Sequence, residues 1–170
     1  MLEVGNGGLT HDEEMTHFAM WALAKAPLIM GCDLTTVSQE SLDILTNTDL
    51  IAVNQDINSK QATCYLGCSW YDELLRNPSV FATSVTGGDV VAMIINWREV
   101  SYKNFQFNLE EIGVVPTQGQ VVEVYDLWTH EVIGEYEDSE VQTFGVSHIS
   151  GHGNYTFRFH IKQAPIPAFQ

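Results

Sequence analysis

Two different hydrophobic periods divide the chain. Met15, Phe18, Ala19, Ala22, Leu23 and Ala26 recur at helical spacing. Thr10 followed by Glu13 has the form of a capping box that opens this helix, and Pro27 cannot continue it. Leu28, Ile29 and Met30 form a short apolar run of the kind found in a buried parallel strand, ending at Gly31-Cys32-Asp33. Ser38 then starts a second helix, with Glu40 in its first turn and Leu42 and Leu45 on its buried side. The order loop, helix, buried strand, helix is an α/β alternation with a single strand. A parallel strand without a partner leaves its backbone donors and acceptors unpaired. Residues 1–56 are therefore expected to be incomplete as a domain.

The remainder has period two. Val80 to Val85 and Val90 to Asn96 flank Thr86-Gly87-Gly88-Asp89, which reads as a hairpin. Further β-rich runs are Asn104 to Leu109, Val121 to Leu127, Val141 to Val146 and Tyr155 to Ile161. The last alternates Tyr155, Phe157, Phe159 and Ile161 against Thr156, Arg158 and His160. Turn residues separate the runs, as at Pro116 to Gly119 and at Ser150 to Asn154. Short strands at regular spacing predict an antiparallel β-sandwich. The polar stretch Asn54 to Ala62 marks the change of period, giving units 1–58 and 59–170.

Charge narrows the partners. With 7 Lys and Arg against 22 Asp and Glu, the formal charge is −15. Such a chain repels phosphate backbones and anionic membrane surfaces, so neither nucleic acid nor membrane is an expected partner. The opening residues lack the basic and apolar regions of a signal peptide, which points either to a cytosolic protein or to a start further upstream. Cys64 and Cys68 have the spacing of a small disulfide loop, with a metal site as the rival. Cys32, after an apolar run, reads as a buried free thiol. Asn154-Tyr155-Thr156 is a glycosylation sequon.

Candidate chemistry is sparse. Asp33 lies just past the carboxyl end of the apolar strand, the active-site face in a (β/α)8 barrel, but an Asp there also fixes loops. His11, Glu13 and His17 look like metal ligands, yet only Glu13 and His17 share a helical face and no third ligand follows. His148 and His152 read as structural residues of a glycine-rich turn, Ser147 to Gly153. Glu135, Glu137, Asp138 and Glu140 crowd what reads as a solvated turn without calcium-loop spacing. Trp21 reads as helix core, and Trp70 as the most exposed tryptophan and a possible sugar platform. No metal or other cofactor is expected.

Several stretches together resemble the melibiase family, the α-galactosidases and their relatives. Met1-Leu2-Glu3-Val4-Gly5-Asn6-Gly7-Gly8 is similar to a family segment that normally begins Asp-Pro-Asp-Met-Leu, of which the Asp-Pro-Asp is absent here. Thr10 to Glu14 and Thr16 to Ala22 resemble the seventh barrel helix, and Lys25 to Leu34 the eighth strand. Ile51 to Asp56 resembles the segment that closes the barrel, and Val90 to Trp97, Val124 to Trp128 and His152-Gly153 resemble landmarks of a C-terminal sandwich. The resemblance is nearest to fungal members, which often carry a Cys-x-x-x-Cys like Cys64 and Cys68.

The resemblance implies the last strand and helix units of a (β/α)8 barrel followed by an antiparallel β-sandwich, in a secreted enzyme with a Cys64–Cys68 disulfide and a glycan at Asn154. It also implies retaining hydrolysis of α-galactoside oligosaccharides or polysaccharides by two Asp residues. Both Asp residues map upstream of Met1, so no catalytic residue is expected in this chain. Met1 maps onto a sugar-contacting Met, and Asp33 is the only other candidate on the substrate face. The competing expectation is a non-catalytic sugar-binding or interaction sandwich.

Overall fold

The computed structural model describes residues 1–69, 77–137 and 143–164. Its centre is a six-stranded antiparallel sheet in the order β1-β2-β3-β8-β5-β6, built from Thr63–Leu66, Ser79–Ser84, Val90–Ile95, Asn154–Gln163, Gln120–Asp126 and Glu131–Glu137 respectively. A two-stranded sheet of β4 (Tyr102–Asn108) and β7 (Thr143–Ile149) covers one face. Three helices cover the other: α1 (His11–Leu23), α2 (Gln39–Leu45) and α3 (Thr48–Gln55).

β3 explains the layering. All six of its residues are buried, so it has no polar face. Val90, Ala92 and Ile94 enter the sandwich core with Phe105, Phe107, Phe144, Phe157 and Phe159. Val91, Met93 and Ile95 enter a second core with Leu2, Phe18, Leu23, Leu50, Val53 and Leu127. The period of two survives in space, but both phases are apolar because both faces are covered.

The helices form where their caps allow. Thr10 accepts from the Glu13 amide and Glu13 from the Thr10 amide, completing the capping box. Ser38 caps α2 and Asn47 caps α3. Lys25, at φ 57°, donates from Nζ to the carbonyls of Val53 (2.8 Å) and Asp56 (2.7 Å) and to Ser59 Oγ (2.7 Å). That puts a cation on the carbonyl end of α3, where the helix dipole favours it.

Several expectations change. The opening residues supply the partner that the lone strand lacked: Leu2 bridges Met30 in parallel, and the Leu2 amide donates to the Ile29 carbonyl at 2.8 Å. The run 28–30 is nonetheless not buried here; Ile29 is 54% and Met30 47% exposed, because within this chain only one side of the pair is covered. Leu42 is half-buried and Ile44 takes its place beside Leu45, while α3 is a helix the pattern did not reveal. Glu135 and Glu137 lie in strand β6, not in a turn; Asp138 and Glu140 fall outside the described residues. Residues 147–149 continue β7, so the turn is confined to 150–153. Cys64 and Cys68 are joined, with Cα atoms 6.1 Å apart. Cys32 is free but half-buried, not buried.

Asp56 ties the end of α3 to the β2–β3 hairpin. Its carboxylate accepts from the Thr86 amide (2.5 Å) and hydroxyl (2.7 Å), and from the amides of Asn58 (2.9 Å) and Ser59 (3.2 Å). These bonds, Thr86 first, depress its pKa from 3.8 to about 2. A depressed carboxylate contributes stability above its unfolded pKa and loses it as pH falls through the folded one. The melting-temperature advantage of wild type over Asp56→Asn is expected in full above about pH 5 and gone near about pH 2. An advantage independent of pH across that window would contradict this role.

Candidate functional site

The parallel pair has one end from which two loops leave. Residues 5–10 follow the first strand and residues 31–38 the second, so both loops sit at the carboxyl ends, where ligands bind in α/β folds. Gly31 permits the strands to approach: a Cβ there would lie 2.6 Å from the Leu2 carbonyl. Gly5, at φ 81°, permits the loops to pack, since its Cβ would meet Val37 Cγ2 at 2.7 Å.

Glu14 ties the first loop to α2, the helix that follows the second loop. It is buried, with one oxygen accepting from the Gly5 amide and the other from the Ser41 hydroxyl, each at 2.7 Å. The sequence reading missed it inside the acidic run Asp12-Glu13-Glu14. The signal was its spacing, since Glu14, Phe18 and Ala22 fall on one helical face.

The anticipated residues take separate positions. Met1 is 73% exposed at the start of the first strand. Asp33 is exposed and accepts from the Thr35 hydroxyl (2.7 Å) and amide (2.9 Å), bonds that lower its pKa. It fixes its own turn. His17 Nε2 accepts from the Glu3 amide at 3.2 Å, and its ring stacks on Trp21 at 4.5 Å. Desolvation lowers its pKa, so it is a neutral acceptor. His11 is exposed, and Glu13 pairs with His152 Nδ1 at 2.7 Å, so these three side chains do not converge. Trp21 is half-buried and packs against the helical core, and Trp70 lies outside the described residues. Trp97 is 55% exposed. No group of three His, Cys, Asp or Glu among the described residues is arranged to hold a metal.

Two histidines fasten helices to the sandwich. His152, at φ 55°, pairs with Glu13 and accepts through its carbonyl from Thr16 Oγ1 at 2.7 Å. His130 pairs with Asp49, which also accepts from the Tyr125 hydroxyl at 2.9 Å. Asn154 completes the seam. Its Oδ1 accepts from Trp128 Nε1 (2.9 Å) and Thr156 Oγ1 (3.1 Å), and its Nδ2 donates to Thr16 Oγ1 (3.1 Å).

Comparison with known proteins covers both halves. Residues 1–56 match the family model described as Alpha galactosidase A, and residues 76–159 the one described as Alpha galactosidase C-terminal beta sandwich domain. Alpha-galactosidase 3 of Arabidopsis thaliana is 57% identical over 136 residues, spanning 79% of this chain and 29% of the relative. Probable alpha-galactosidase D of Aspergillus niger is 34% identical over 157 residues, spanning 90% and 22%. Among solved structures, alpha-galactosidase I from Mortierella vinacea superposes with a TM-score of 0.80 at 25% identity, covering 98% of this chain and 40% of that one. The chain thus spans less than a third of the length of these curated relatives.

Proposed function

The chain belongs to the α-galactosidase family, and we propose that it is the C-terminal part of a secreted retaining enzyme that hydrolyses terminal α-D-galactosyl residues. Residues 1–58 are read as the end of its (β/α)8 barrel and 59–170 as its sandwich. The observation that carries this is the parallel Leu2–Met30 pair, covered by helices on one side only, with Ile29 and Met30 exposed. It has the form of two adjacent strands of a larger parallel sheet.

Hydrolysis with retention uses two carboxylates on either side of the glycosidic bond. The carboxylates at the strand ends are otherwise engaged: Glu3 with the Asn6 amide, Asp33 with Thr35, Glu14 with Gly5 and Ser41. That distribution supports a catalytic pair on upstream strands. In this reading the present residues shape the mouth of the site. Met1 faces the sugar, Asp33 holds the second loop, and Glu14 ties the first loop to α2. The test is native protein captured through this chain and given an aryl α-galactoside. Release of the α-anomer as first product is expected, whereas the isolated chain should give no turnover. Captured protein without α-galactosidase activity would defeat the proposal.

The disulfide supports an oxidising compartment. Asn154 is read as a bridge rather than a glycan site, because its amide already serves three hydrogen bonds, one to Thr16 of α1 and two within the sandwich. In protein from a glycosylating host, the Asn154 peptide is expected to carry no N-glycan; a glycan on that peptide in folded protein would overturn this.

A further inference from the structure

Trp97 is held at the surface by a buried neighbour. Asn96 is fully buried, donating from Nδ2 to the carbonyls of Val100 and Ser150 and accepting from the Arg98 amide. The next residue is thereby pushed outward. The Trp97 indole is nevertheless fixed: Nε1 donates to Ser79 Oγ at 2.8 Å, and the ring meets Phe81 edge-on at 6.5 Å. An aromatic ring anchored through its nitrogen and still 55% exposed is a preorganised platform.

Beside it lies a hollow of 960 Å³ lined in part by Asn77, Phe81, Trp97, Arg98 and Glu99. Three polar groups there have no side-chain partner among the described residues: the Arg98 guanidinium, the Glu99 carboxylate and the Asn77 NH2. Arg98 and Glu99 are adjacent in sequence yet do not pair. An anionic ligand is disfavoured by Glu99 and the −15 charge, and a purely apolar one by the three polar groups. A ligand with one apolar face and hydroxyls that both donate and accept fits all of them.

We propose that this hollow is an accessory saccharide subsite, in which a pyranose ring of a neutral oligosaccharide stacks on Trp97 and its hydroxyls bridge Arg98, Glu99 and Asn77. It is ancillary to the enzyme, performs no chemistry, and rests on the α-galactosidase reading only for the choice of first probe. The full 170-residue chain is titrated with raffinose and, separately, with maltotriose, following the tryptophan indole N–H resonances. A saturable shift of the Trp97 resonance with raffinose is expected. Trp97→Ala should weaken binding by about tenfold or more. Glu99→Gln, at an exposed position, should weaken it with an unchanged circular-dichroism spectrum. A response to maltotriose alone would uphold the subsite while removing its link to galactosides. No saturable response to either sugar by folded wild type, or binding untouched by both substitutions, would overturn it.

Discussion

Phe18→Ala is expected to destabilise the whole chain, sandwich included, by about 3–5 kcal/mol. Phe18 is 1% exposed on α1, and the core it enters also contains Val91, Met93 and Ile95 of β3. β3 is hydrogen-bonded between β2 and β8 near the middle of the main sheet. A cavity at Phe18 therefore removes packing from strands that also hold the sandwich core together. Residues 1–56 taken alone are expected to be incomplete, and that remains their condition on the exposed side of the Leu2–Met30 pair. On the other side the sheet supplies the missing cover. Hydrogen exchange in α1, β3 and β8 should accelerate together in the variant. A sandwich whose exchange and melting stay at the wild-type value would show that the two halves fold independently.

Glu14→Ala is the second large effect, about 2–4 kcal/mol, because two charge-assisted bonds are lost and their donors are left under cover. The Gly5 amide and the Ser41 hydroxyl have Glu14 as their acceptor. Glu14→Gln keeps the shape and one acceptor oxygen, so it should cost clearly less. In the proposed full-length enzyme the same substitution should lower kcat/KM, since the loop after the first strand loses its tie to α2. Equal stability of Ala, Gln and wild type in denaturant unfolding would remove Glu14 from this role.

What the sequence revealed depended on whether a residue's environment is local. The α1 capping box is local and was legible from Thr10 and Glu13 alone. The β2–β3 hairpin was legible from Gly87 and Gly88, both at positive φ. β6 was not, because Val132 and Ile133 are exposed on an edge strand and Glu131, Glu135 and Glu137 surround them. Its pattern is that of a solvated segment, and its pairing with β5 supplies what the pattern lacks. The run 28–30 looked buried because apolar strands in α/β folds are covered on both faces. Here one face is open. The bonds of Asn154 to Trp128 and Thr16 were not legible, because a three-residue motif contains no information about residues that lie distant in sequence and adjacent in the fold.

The family resemblance was legible in the first third of the chain, where Lys25 to Leu34 and Ile51 to Asp56 carry it, and the match over residues 1–56 agrees. The accessory hollow was not legible. Trp97 stood among four tryptophans, and only the burial of Asn96 and the bond to Ser79 distinguish it.

The central claim, that the first 58 residues are the end of a barrel, is tested most directly by the mass of the native protein that carries these peptides. The chain alone is 19.0 kDa. A native species larger by most of a barrel, which takes roughly 250 residues, is the expected result. A native species with the mass of this chain alone would contradict it.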